Sequence, residues 1–135
     1  MIKQFEFYFD FVSPYSYIAH QEIRRLEKKS LVKIKYMPIL LGGLHLLNDI
    51  KAPAFIPSKA KFMIRDCKLV AAKKKITFKF NSYFPIKSLN LMRGSLIAHE
   101  DNFLNFYIDT VFEAIWKDGL NMNDQNIIDK VLKNI

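Results

Sequence analysis

The chain has 135 residues, of which 50% are hydrophobic and 25% charged, enough for one globular domain with its own core. A formal charge of +8 would mark a polyanion site only if the cations clustered on one face. Lys28, Lys29, Lys33, Lys35 and the run over 73–75 instead fall at helix ends and along a strand, so a solvated basic surface is expected and nucleic acid is not an expected partner. Cys67 is the single cysteine, which excludes an internal disulfide and any C-x-x-C pair and fits a reducing compartment. No basic segment followed by an apolar run opens the chain, and no apolar stretch is long enough to cross a bilayer. The expectation is a soluble cytoplasmic protein without a membrane partner.

Phenylalanine occupies every odd position over 5–11, a period of two that predicts a strand, broken by Ser13-Pro14. From Tyr15 the period becomes helical, with Tyr15, Ala19, Ile23 and Leu26 as the expected buried stripe and Ser30 closing the helix. Val32, Ile34 and Tyr36 then alternate with Lys33 and Lys35 as a second strand, so a right-handed βαβ unit with parallel strands is predicted. The segment over 40–47 is mostly apolar around Gly42 and Gly43, and Pro53 and Pro57 mark a loop. A helix is predicted over 58–74, its inner face made by Ala60, Met63, Ile64, Cys67, Val70 and Ala71. Ser88 is the expected cap of a helix running to His99. Phe103, Tyr107, Val111 and Ile115 recur at i+4 in a further helix over 101–116, which Gly119 is expected to end, and a last short helix is predicted over 124–134. Two strands alone make a poor sheet.

The junction Asp10-Phe11-Val12-Ser13-Pro14-Tyr15-Ser16-Tyr17 is the informative place, because it joins the carboxyl end of a strand to the amino end of a helix. Helix N-terminal amides favour negative charge there. A serine hydroxyl donating to a thiolate bound at such a site contributes roughly 1.5–3 kcal/mol and lowers the thiol's pKa by about one to two units. The structural reading stands beside it: serine is a favoured N-cap and proline a favoured first helical residue, with no chemistry required. No local signature ties His20, His45 or His99 to Ser13 as a triad, and these histidines with Cys67 form no metal-ligand pattern, so no metal is expected. Cys67, among apolar neighbours, reads as a small core residue.

The stretch from Phe7 to Tyr17 closely resembles the opening of 2-hydroxychromene-2-carboxylate isomerases and kappa-class glutathione transferases. The same order continues through Leu40-Leu41-Gly42-Gly43, Pro53, Pro57-Ser58-Lys59, Arg65-Asp66, Phe84-Pro85, Met92-Arg93 and Phe112-Glu113-Ala114-Ile115-Trp116 to Gly119. The resemblance implies an α/β fold: a thioredoxin-like βαβ unit over 1–38 followed by a mostly helical insertion over 39–135, related to the DsbA oxidoreductases. It also implies that the C-terminal strands, last helix and cis-proline loop of that fold are lacking, leaving a single partial domain with an exposed sheet edge open to homodimerisation or other association. In that family the residue matching Ser13 holds and activates the thiol of glutathione, so Ser13 is the implied catalytic and glutathione-binding residue. Lys59 is the implied partner for an anionic group of a small-molecule substrate; otherwise it is a solvated lysine in a helix's first turn. The Ser13-x-x-Ser16 block stands where the redox branch carries C-x-x-C. Where kappa-class relatives carry an asparagine before paired prolines, this chain carries Ile50, with Ala52 at the first proline and Asn48 out of register.

Two functions of different class follow. One is a glutathione-dependent isomerase or transferase acting on small electrophilic substrates, aromatic carboxylates among them. The other is a truncated, non-catalytic remnant serving as an interaction module. A polyanion-binding protein is a third, which would show steeply salt-dependent binding.

Overall fold

The computed structural model describes residues 2–133 and 135. Strand β1 (Lys3–Phe9), helix α1 (Pro14–Lys28) and strand β2 (Val32–Pro38) form the predicted βαβ unit, and the strands pair in parallel from Lys3 opposite Val32 to Phe9 opposite Pro38. Helices α2 (Leu41–Leu47), α3 (Pro57–Lys73), α4 (Leu89–Glu100), α5 (Leu104–Trp116) and α6 (Gln125–Leu132) follow, with a 3-10 turn at Pro53–Phe55. The predicted end of the last helix, Asn134, lies outside the described residues.

Two expectations about the βαβ unit are corrected. First, β1 stops at Phe9 rather than running on to Phe11. The Asp10 carboxyl takes the Val12 amide at 3.0 Å and the Asp10 carbonyl takes the Ser13 amide at 3.0 Å, which turns the chain out of the strand. Second, the buried face of α1 is Pro14, Tyr17, Ile18 and His20, while Tyr15 and Leu26 are exposed. That face carries polar atoms whose needs are met inside the fold, such as the Tyr17 hydroxyl donating to the Thr77 carbonyl at 2.7 Å. An apolar count alone passes over it.

The core forms where α5 lies across α1 and the end of β1. Phe112 of α5 is fully buried, and its ring meets those of Phe9, Phe11, Tyr17 and His20 at centroid distances of 4.9–6.0 Å. Tyr107, Val111 and Ile115 are buried as their spacing predicts, and Met63, Cys67 and Ala71 supply the inner face of α3. Gly119 has φ +69, the left-handed conformation that lets the chain leave α5 without strain. Phe5 and Tyr8 of β1 and Leu31 just before β2 are exposed, and β2 is the only strand paired with β1 among the described residues.

A polar network fastens α1 to α5 and β2. His20 Nε2 lies 2.6 Å from Asp109 Oδ1, and Arg24 donates to Asp109 Oδ2 at 3.1 Å and to Glu27 at 2.9 Å. The Tyr36 hydroxyl meets His20 Nδ1 at 3.2 Å. Burial pushes Asp109 up, but the His20 hydrogen bond and the charges of His20 and Arg24 outweigh it and hold the carboxyl below its ordinary value. A carboxyl depressed in the folded state contributes stability that is complete above its unfolded pKa of about 3.9 and is lost as pH falls through the lower folded value. Denaturant midpoints should therefore fall as pH drops below about 4, and less steeply in Asp109→Asn. Equal acid sensitivity in both proteins would contradict this coupling.

Candidate functional site

The turn that ends β1 places Ser13 at the N-cap of α1, with extended backbone (φ −89, ψ 116) and Pro14 as first helical residue. Ser13 Oγ accepts the Ser16 amide at 3.1 Å, the capping bond expected of a serine in this place. No protein group among the described residues accepts the hydroxyl's own hydrogen, so it remains available to an incoming acceptor. The structural and the chemical readings of Ser13 are therefore compatible: one lone pair caps the helix while the O–H points elsewhere.

Asp10 holds this turn in place. It is 1% exposed, and its two carboxyl oxygens are divided between the Val12 amide at 3.0 Å and the Leu41 amide at 2.8 Å. One side chain thus ties the Ser13 turn to the start of α2. Behind the turn, the Phe11 carbonyl accepts the Trp116 indole N–H at 2.8 Å, and the Phe11 amide approaches Met92 Sδ at 3.4 Å.

Ser13 opens into a cleft of about 810 Å³. Its walls are mainly apolar, with Val12, Leu40, Leu46, Phe55, Met63 and Phe84 among them, and the first turns of both α1 and α4 border it. A cavity of that size and character is what a small organic ligand requires. The polar side chains on it, apart from Ser13 and Tyr15, are His45, Lys51, Lys87 and Ser88. Lys59 is exposed in the first turn of α3 and does not line the cleft, although Met63, one turn along the same helix face, does. Ile50 lines the cleft, whereas the Asn48 amide is spent on the Leu44 carbonyl at 2.8 Å. The Phe84–Pro85 peptide, which borders the cleft, is cis.

Cys67 lies behind this region, fully buried. Burial pushes its thiol up to about 11, and the Asp66 charge adds to the rise. It is therefore a protonated core thiol at neutral pH. Tyr15 donates to Asp66 at 2.8 Å, and burial followed by that bond raises its phenol well above the ordinary value.

Sequence reasoning located Ser13 but passed over three features. Asp10 was visible only as part of a motif, and Lys51 and Lys87 carried no signal distinguishing them from other surface lysines. Ser88 was expected to cap α4, and the structure corrects that: it stands at the N-cap position with helical backbone (φ −79, ψ −10) and makes no capping bond.

A parallel βαβ unit with an all-helical continuation and a cleft at the strand–helix junction defines a thioredoxin-like domain. The chain belongs to the DsbA-like thioredoxin domain family, whose model matches residues 4–135. Among curated proteins it is 28% identical over 128 residues to a 2-hydroxychromene-2-carboxylate isomerase of Sphingobium xenophagum, covering 93% of this chain and 65% of the relative. It is 37% identical over 71 residues to glutathione S-transferase kappa 1 of Caenorhabditis elegans, covering 52% of this chain and 31% of that protein. A solved 2-hydroxychromene-2-carboxylate isomerase superposes with a TM-score of 0.83 at 22% identity, over 97% of this chain and 64% of the other, a likeness of fold. The chain spans about two thirds or less of the length of these relatives.

Proposed function

We propose that the cleft binds glutathione with its sulfur at Ser13 and serves isomerisation or conjugation of a small electrophile. The observation that carries this reading is the Ser13 hydroxyl: it caps α1 through Ser16 yet keeps its hydrogen free, at a helix N-terminus, on the wall of an apolar cleft. Bound glutathione would supply a thiolate nucleophile. Ser13 would donate a hydrogen bond to that sulfur, and the apolar walls would exclude water from it and strengthen the bond. The names of the relatives, an isomerase and glutathione transferases, support the same class. Lys59, on the helix face that carries Met63 into the cleft, would add to the positive field that Lys51 and Lys87 set up for an acidic substrate.

The reading as a non-catalytic interaction module is favoured by one observation: Ile50 presents a hydrocarbon to the cleft where an amide would bind peptide groups. Calorimetry with glutathione separates the two. Wild-type protein should bind, and Ser13→Ala should bind about 10- to 100-fold more weakly, the equivalent of a charge-assisted hydrogen bond. The variant should also lose about 0.5–2 kcal/mol of stability with its helix cap, so the comparison is made below its melting transition. No binding by folded wild-type protein would leave the interaction module standing.

A further inference from the structure

The amino end of α4 is built unlike that of α1. Ser88 is 5% exposed and borders the cleft, yet its hydroxyl has no hydrogen-bond partner among the described residues. Among the described residues no fully sealed side-chain oxygen lacks a partner, so the small surface that Ser88 keeps includes its hydroxyl, and Ser88 lines the cleft. The amides of Leu89, Asn90 and Leu91 precede the first bond of the helix, which runs from the Met92 amide to the Ser88 carbonyl at 2.8 Å, and they too have no acceptor among the described residues; of the three, Leu89 lines the cleft while Asn90 and Leu91 border a second cavity. Lys87 stands beside them on the cleft and forms no ion pair among the described residues.

This uncapped end is held in place from outside. Asn123 accepts the Lys87 amide at 2.8 Å and donates to the carbonyls of Tyr83 at 3.1 Å and Pro85 at 3.4 Å. Buried Asn81 accepts the Tyr83 amide at 2.8 Å and donates to the Ile115 and Leu120 carbonyls, both at 2.9 Å. Two asparagines thus fix the backbone over 83–87 and place Lys87, the unpartnered Ser88 hydroxyl and the free amide of Leu89 along one part of the cleft. That is a donor set without an acceptor.

We propose that the N-terminus of α4, with Ser88 and Lys87, is a carboxylate subsite facing the same cleft as Ser13. The proposal rests on reading the cleft as a ligand site and deepens it: the ligand has an apolar body that lies on the walls and a carboxylate that is received by α4. A planar carboxylate accepts from Ser88 and the Leu89 amide at once, and the macrodipole and Lys87 both favour its charge.

The test compares naphthoate with uncharged naphthalenemethanol, titrated against the full chain by calorimetry at fixed ionic strength. Naphthoate should bind about tenfold more tightly, and Ser88→Ala and Lys87→Gln should each cut that ratio several-fold. Lys130→Gln, which removes the same charge from exposed α6, should leave it unchanged. Glutathione is titrated against the same variants. If the naphthoate ratio falls, the substrate carries the carboxylate. If glutathione affinity falls in Ser88→Ala instead, the tripeptide carries it, and either result supports the subsite. Variants that alter neither would overturn it. A naphthoate ratio that depends on Ser88 in a protein that does not bind glutathione would sink the glutathione reading and leave the subsite standing.

Discussion

Replacing Trp116 by alanine should cost about 3–5 kcal/mol of folding stability, the largest effect expected from a single truncation in this fold. The side chain is fully buried at the end of α5, its rings packed among Phe78, Phe80 and Phe84 at centroid distances of 5.6–6.1 Å. Its indole N–H is also the partner of the Phe11 carbonyl at 2.8 Å. Alanine therefore opens a cavity and leaves a buried carbonyl unsatisfied. Trp116→Phe separates the two effects, since it keeps most of the packing and loses only the bond, for about 1–3 kcal/mol. Urea unfolding of the three proteins at one pH gives these differences directly. An alanine variant within about 1 kcal/mol of wild type would mean that the long contact between α5 and the β1–α1 turn is not a principal tie of the fold.

The second large effect is expected at Asp10. Removing its carboxyl in Asp10→Ala strands the amides of Val12 and Leu41, which the side chain now receives at 3.0 and 2.8 Å. At roughly 1–3 kcal/mol for each orphaned donor, and with both amides only partly buried, a loss of about 2–4 kcal/mol is expected. The consequence reaches the site, because the same carboxyl sets both the turn bearing Ser13 and the start of α2, which walls the cleft. Ligand affinity should fall along with stability. Asp10→Asn keeps one acceptor oxygen and turns an NH₂ toward the other amide, so it should be intermediate in both measurements. A ligand affinity unchanged in Asp10→Ala would show that the turn holds its shape without that anchor.

The βαβ unit was legible because its signals are local and strong. Alternating phenylalanines, the Ser13-Pro14 break and the change to helical spacing each report on neighbours in sequence. The inner face of α5 was equally plain, since nearly every apolar residue there is buried. Helix α2 was not foreseen. It has seven residues, two of them glycine, with no side-chain cap, and such a segment does not form a helix on propensity alone. A tertiary bond from Asp10 to the Leu41 amide holds its first turn. The face of α1 was misjudged for a related reason: Tyr17 and His20 are buried with their polar atoms bonded to Thr77 and Asp109, distant residues that periodicity cannot see. The cleft was the least legible feature. Its walls come from segments around 12–15, 40–46, 50–55 and 84–89, and only folding brings them to one place.

The most direct test of the central proposal is an ultraviolet titration of the glutathione thiol bound to the protein, following thiolate absorbance against pH. Cys67 is the sole protein thiol and is pushed up to about 11, so it ionises clear of the range of interest. If Ser13 holds the thiolate, the bound thiol should ionise about one to two units below the ordinary value of about 8.5, and Ser13→Ala should return it toward that value. A bound thiol that titrates like free glutathione, or one lowered equally in Ser13→Ala, would contradict the role proposed for Ser13.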